Sequence, residues 1–284
     1  MNRKNVDTPR RHIWLCADDY GISASVNAAV RDLIMRRRIN ATSVMVVAPR
    51  FDRAEATALR ILNADIQRVA IGLHLTLTAP FKPASASFRP TRDGAFLPLK
   101  PLMAVAFRRG MRHETLVIEI ATQLRSFLIA FGRPPDFIDG HQHVHLLPQV
   151  RDALLSVAKE AAPEAWVRQC SSAAAIRGRL GDPKGLFLEF LSHGFRRRAR
   201  TRGVRTNPAF SGSYTFTPDA DYARLFPGFL HSLPDGGLIM CHPGVVDEEL
   251  AKLDPLTALR EREYAYFCGE EFPRLLAANN MELA

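Results

Sequence analysis

Short apolar runs alternate with longer amphipathic ones along the chain. Ile13-Trp14-Leu15-Cys16-Ala17 is continuously apolar and predicts a strand buried on both faces. From Ser25 to Arg37 the period changes to that of a helix, with Val26, Ala29, Val30, Leu33 and Ile34 on one side. The alternation repeats: strand at 42–47, helix from Arg53 to Leu62, strand at 69–73. Further along the pattern predicts a helix from Glu114 to Phe131, a strand at Phe137-Ile138-Asp139 and a helix opened by Pro148 and running to Ala161. A strand at 165–167, helices over 186–200 and 221–233, a strand at 238–241 and a mostly helical close from Pro255 to Ala278 complete the reading.

Strands separated by helices predict a parallel sheet covered by helices. Six or seven such units in one chain predict a closed or nearly closed barrel. The expected organisation is an N-terminal tail, 1–11, and a single α/β domain, 12–284. One stretch has no clear period, roughly 79–111, and carries Pro80, Pro83, Pro90, Pro98 and Pro101. It is expected to be a long loop insertion that walls or covers a site. There is no internal repeat and no glycine-rich dinucleotide or P-loop motif, so phosphate-cradle chemistry has no support.

Composition adds little to this. The chain has 284 residues, 47% apolar and 24% charged, which excludes a collagen-like or disordered chain. No apolar run is long enough for a membrane span, and the basic N-terminus lacks the apolar core of a secretory signal. The four cysteines, Cys16, Cys170, Cys241 and Cys268, form no CxxC pair, so no disulfide framework or zinc ribbon is indicated and a cytoplasmic setting is expected. The net charge of +9 comes from a strong arginine bias. It fits either an anionic partner or a host that simply uses arginine.

Candidate chemistry falls at the strand ends. Asp18 and Asp19 follow the first strand, His74 the third, and His141, His143 and His145 follow 137–139. Arg168 follows 165–167, and His242 follows 238–241. In a parallel barrel all strand C-termini open on one face, where active sites lie. Carboxylate and imidazole donors together suit a divalent metal: Zn²⁺, and also Fe, Co, Mn or Ni, with Mg²⁺ preferring more oxygen. Two adjacent aspartates in an extended chain do not easily face one ion, so one ligand and one general base is the sensible division.

Four segments then carry a family resemblance: Cys16-Ala17-Asp18-Asp19-Tyr20-Gly21-Ile22-Ser23, Gly72-Leu73-His74-Leu75-Thr76-Leu77-Thr78, Ile138-Asp139-Gly140-His141-Gln142-His143-Val144-His145 and Cys241-His242-Pro243-Gly244. In order and spacing they resemble the YdjC-like carbohydrate deacetylases, which include chitooligosaccharide deacetylases and a hopanoid-biosynthesis-associated branch. The resemblance implies a distorted (β/α) TIM-like barrel of about seven parallel strands, related to the polysaccharide deacetylases. It also implies metal-dependent hydrolysis of the acetyl group from an N-acetylated sugar or glycolipid. It would make Asp19, His74 and His141 the ligands of one divalent ion, Mg²⁺ or Zn²⁺. Asp18 would be the base, His242 the general acid for the departing amine, and Arg168 the residue that orients the base. His145 stands four residues after His141, so either His141 alone or both would act as ligands. His143 is left with a structural or substrate-contact part, and Tyr20 and Asp139 are candidate substrate contacts.

Other segments leave alternatives open. Phe88 and Phe96 would stack on a sugar ring or pack on their own loop. Arg196, Arg197, Arg198, Arg200, Arg202 and Arg205 form a basic stretch that would touch an anionic membrane surface peripherally or be a solvated helix face. Tyr264 to Phe267 belongs to a homodimer interface or to the barrel's outer layer. The competing functions are another metal-dependent hydrolase on the same barrel, an amidohydrolase or phosphodiesterase, and a basic nucleic-acid or anionic-surface binder. No helix-turn-helix, zinc finger or RNA-recognition signature accompanies the charge, so no nucleic-acid partner is expected.

Overall fold

A computed structural model of the chain describes residues 9–65, 69–172 and 183–284. In chain order the strands are β1 (Arg11–Tyr20), β2 (Ala41–Val44), β3 (Ala70–Leu75), β4 (Thr91–Arg92), β5 (Ala95–Phe96), β6 (Phe137–Gly140), β7 (Trp166–Val167), β8 (Phe210–Ser211), β9 (Leu238–Cys241) and β10 (Met281–Leu283). The helices are α1 (Ala24–Met35), α2 (Arg53–Asp65), α3 (Leu99–Phe107), α4 (His113–Phe131), α5 (Val150–Ala161), α6 (Pro183–Arg202), α7 (Tyr222–Leu230), α8 (Glu248–Leu253), α9 (Ala258–Cys268) and α10 (Glu271–Ala278).

Seven strands form one parallel sheet in the order β7-β6-β3-β2-β1-β9-β8, and β10 adds to the start of β1. The sheet curls until its two edges meet. Val167 bridges Thr206 and its N–H donates to the Arg205 carbonyl at 2.9 Å, while the Phe210 N–H donates to the Ser171 carbonyl at 3.0 Å. The result is an α/β barrel of seven parallel strands with an irregular seam, as the βα alternation predicts. Ile13, Leu15, Cys16 and Ala17 are completely buried, so β1 is covered on both faces and has no polar alternation. Ser23 caps α1 by accepting from the Val26 N–H at 3.3 Å, and α1 lays Val26, Ala29, Val30, Leu33 and Ile34 on the sheet.

Several boundaries differ from the sequence reading. β1 begins at Arg11, inside the expected tail, and runs on to Tyr20, so the two aspartates belong to the strand itself. The aperiodic stretch 79–111 is not all loop: it holds the short antiparallel pair β4–β5 and the helix α3. Its prolines obscured the helix because only Pro98 stands at the helix start and Pro101 falls in the first turn, where a missing N–H costs little. Phe88 and Phe96 are buried against each other, edge to face with centroids 5.2 Å apart, so they form this segment's own core and do not offer a sugar platform. Tyr266 and Phe267 likewise pack with Tyr222, Phe226 and Phe272 in the outer layer, not on an open surface.

Candidate active site

Consecutive side chains of a regular strand point to opposite faces. β1 escapes that rule at its end: its pairing with β2 slips between Ala17 and Tyr20, and Asp19 has φ of 69°. This irregularity brings both Asp18 and Asp19 into one buried cluster at the C-terminal rim, at 2% and 1% exposure.

Asp19 Oδ1 lies 2.9 Å from His141 Nδ1 and 3.2 Å from His74 Nε2. One donor atom from each of Asp19, His74 and His141 falls within 4.8 Å of the others. His74 reaches this point from β3, and its other nitrogen, Nδ1, lies 2.6 Å from Asp139 Oδ1 and 2.9 Å from Ser43 Oγ. A proton on Nδ1 directed at Asp139 leaves Nε2 as the outward donor, the arrangement that orients imidazole ligands in metal sites. Burial opposes a charge on His74, but Asp139 and Asp19 outweigh it and push its pKa up to about 10. His141 opens a short 3-10 turn after β6, between the rings of His74 and Phe81.

Asp18 faces a different partner. Arg168 Nη1 donates to Oδ2 at 2.6 Å and Nη2 to Oδ1 at 2.7 Å, and the same Nη2 stands 2.6 Å from Asp139 Oδ2. Burial works against the carboxylate, yet the Arg168 guanidinium holds Asp18 well below the usual carboxylate range. Cys16, Asp18 and Asp139 also form a potential ligand group, but Arg168 reaches all three, including Cys16 Sγ at 3.0 Å. That subsite already contains its cation.

The charge count tests the fit of a metal. Arg168 pairs with Asp18 and Asp139, Arg260 pairs with Asp19 and Asp254, and His74, lying against both Asp139 and Asp19, joins the two groups. With His74 neutral, as an imidazole ligand must be, four carboxylates against two guanidiniums leave two negative charges, the amount one divalent cation neutralises. The donor set of two imidazoles and one carboxylate suits Zn²⁺ and its neighbours.

The remaining predicted residues separate. His242 stands near the cluster: its N–H donates to Glu263 Oε2 at 2.5 Å, its ring lies edge-on to Phe216, and its Nδ1 is buried without a hydrogen-bond partner among the described residues. Burial lowers its proton affinity, with the charge of Asp19 acting in the opposite direction. His145 is fully buried and its Nε2 donates to the Arg168 carbonyl at 2.9 Å, which places it outside the three-ligand group. His143 has φ of 57°, rests near Cys170 Sγ at 3.6 Å and is pushed down to about 3 by burial. Tyr20 is not brought to the cluster: its hydroxyl donates to Glu55 and accepts from Arg31. Asp139 is completely buried and spent on His74 and Arg168, a positioning arrangement that leaves it no free face for substrate.

Sequence reasoning missed Ser43, Arg260, Asp254 and Glu263. The last three sit in a stretch so rich in charge that it reads as a solvated face. The signal was in the register: Leu259, Arg260, Glu263, Tyr266 and Phe267 follow helical spacing, so two charged residues occupy the buried stripe of α9.

The arginine stretch of α6 is largely engaged within the fold. Arg198 and Arg202 pair with Asp152, Arg205 pairs with Glu164, and Arg196 donates to Ser171 Oγ. A membrane contact through this stretch gains no support from these partners. Among the described residues no helix is long and apolar enough to cross a membrane.

Among solved structures, the chain resembles a protein of Enterococcus faecalis V583 named provisionally for cellobiose-phosphate cleavage. The identity is 21% over 97% of both chains, with a TM-score of 0.71. A looser likeness, TM-score 0.48 at 10% identity over 98% of this chain and 93% of the other, links it to a family 4 carbohydrate esterase from Streptomyces lividans in complex with acetate. The first likeness establishes the shared fold. The profile of the YdjC-like proteins matches residues 12–278, nearly the whole barrel. The chain therefore belongs to the YdjC-like family.

Proposed function

We propose that the protein is a metal-dependent carbohydrate deacetylase that removes the acetyl group from an N-acetylated sugar or the sugar of a glycolipid. The observation that supports this best is the convergence of Asp19, His74 and His141 on one point, beside a second carboxylate, Asp18, that an arginine keeps ionised. The sequence resemblance implies the same chemistry.

Asp19, His74 and His141 would hold the cation, which when bound acidifies water and polarises a carbonyl. Asp18 accepts the proton of the attacking water. Arg168 fixes both Asp18 oxygens, so the carboxylate keeps its direction and its charge. Asp139 holds His74 by its Nδ1 and Arg168 by its guanidinium, tying the ligand side of the site to the base side. His242, once protonated with the help of the Asp19 charge against the effect of burial, gives its proton to the amide nitrogen as it leaves as an amine, and acetate is the second product. A two-ion hydrolase such as a phosphodiesterase is disfavoured, because the second acidic group is filled by Arg168.

The test is acetate release from a panel of N-acetylated mono- and oligosaccharides and glycolipids, followed by mass detection of the free amine. The reading predicts a mass loss of one acetyl group. Phosphate-ester cleavage without deacetylation would replace it.

A further inference from the structure

Helix α3 carries one polar side chain, Lys100, in its 9 residues, yet only Leu102 and Ala106 of it are buried. Met103, Ala104 and Val105 are half-buried, and Phe107 at its end is 45% exposed. A surface helix is ordinarily polar on the side turned away from the core, and this one is apolar there. The apolar face continues onto α6. Phe187 is 38% exposed and lies against Phe107 with ring centroids 6.0 Å apart, and Phe190, one helical turn further on, is 71% exposed. Scattered exposed apolar residues need no explanation, but three aromatic rings gathered into one patch mark an interaction surface.

Cations surround the patch. Lys100 lies in the first turn of α3, Arg108 and Arg109 follow its end, and Lys184 stands one turn before Phe187. All four are exposed and have no ion-pair partner among the described residues. Glu189, between the two phenylalanines of α6 in sequence, is engaged by the Ser172 N–H at 3.0 Å. We propose that this face docks on the surface of an anionic lipid bilayer, with Phe107, Phe187 and Phe190 entering the interface and the four cations lying against headgroup phosphates. Aromatic rings and basic side chains on one face are the combination that holds a protein in the plane of such a surface. A second copy of the chain fits less well. A two-fold interface sets the same patch against itself and would bring the cations of both copies together. The surface draws on none of the paired arginines near the other end of α6. The insertion that holds α3 follows β3, and α6 is the next element after β7, so connections from the rim of the candidate site build this face.

The experiment is sedimentation of the full-length chain with vesicles of phosphatidylcholine alone or mixed with phosphatidylglycerol, at low and high salt. Wild type is expected to pellet with the mixed vesicles at low salt and to be released by high salt. Phe190→Ser should lower the partition coefficient about tenfold, the scale of one phenylalanine returned to water, and Phe187→Ser by a similar factor. Arg108→Gln combined with Arg109→Gln should lower it about tenfold as well. Arg53→Gln combined with Arg60→Gln removes the same charge from exposed positions of α2 and should change it much less. Circular dichroism checks folding, and Phe190→Ser, at the most exposed position, keeps the test available if Phe187→Ser does not fold. A wild-type chain that stays in solution with mixed vesicles at low salt overturns the proposal, as does binding that the folded patch variants leave unchanged. Light scattering examines the other occupant: a wild-type dimer that Phe190→Ser dissociates, with vesicle binding unchanged, gives the face to a second copy. Catalysis plays no part in the readout, so the outcome is separate from that of the proposed function.

Discussion

Arg168 grips Asp18 through both carboxylate oxygens, at 2.6 and 2.7 Å, with both residues buried. A paired, planar contact of this kind fixes direction as well as charge. Asp18 therefore stays ionised through the whole neutral range and cannot swing onto a cation bound by its neighbour. Asp18→Asn should retain bound metal and lose kcat by about 10²–10⁴, the usual worth of a positioned base. Metal analysis and steady-state kinetics on the same preparation check both halves. Full turnover in this variant would remove Asp18 from the reaction.

Asp139 supports the opposite side of the site. Its bond to His74 Nδ1 keeps Nε2 free to act as a ligand. Asp139→Asn should weaken metal binding by about 10- to 100-fold. Chelator competition measures this directly, and an unchanged affinity would show that Ser43 alone suffices to hold the ring.

Glu263 should leave a mark on the pH dependence of stability. Its burial raises its pKa to about 7, against the lowering effect of the His242 N–H and the Tyr214 hydroxyl that it accepts. Between about pH 4.5 and 7 the folded chain keeps this proton while the unfolded chain releases it. Glu263 thus makes stability fall as pH rises through that window, by an amount on the order of 3 kcal/mol. Buried His143, His145 and His242, with lowered proton affinity, act in the other direction below pH 6.5. The comparison of interest is therefore metal-free Glu263→Gln against wild type, followed by Tm from pH 4.5 to 8. The Tm difference should shift in favour of the variant as pH rises and then level above pH 7. Parallel curves would contradict the assignment.

Gly72 carries a purely steric prediction. Its Cβ position is filled by the Phe137 ring, which stacks on Trp166 with centroids 4.5 Å apart. Gly72→Ala should cost about 1–3 kcal/mol of stability as the ring is pushed aside. Thermal melting tests this, with a Tm equal to that of wild type as the contrary result.

The barrel was legible because its strands are buried on both faces and read as apolar runs, and because α1, α4 and α5 keep a clean helical period. The position of the candidate residues at strand ends followed from the same alternation. What escaped was of two kinds. Local geometry escaped: nothing in Asp18-Asp19 announces the positive φ that gathers both carboxylates, and the fate of Phe88 and Phe96 depends on their meeting across a proline-rich segment. Long-range pairing escaped as well, since Arg260 lies 241 residues from Asp19 and its value shows only when α9 is docked. Tyr20 stands beside the two aspartates in sequence, yet turns to Glu55 and Arg31 because the strand irregularity ends there.

The most direct measurement is a metal titration of the exhaustively chelated protein, with acetate release from an N-acetylated sugar as the readout. Activity should be absent at the start, rise linearly with added ion and saturate at one equivalent per chain, with His74→Ala failing to recover under the same titration. Undiminished acetate release from the chelated protein would contradict the account.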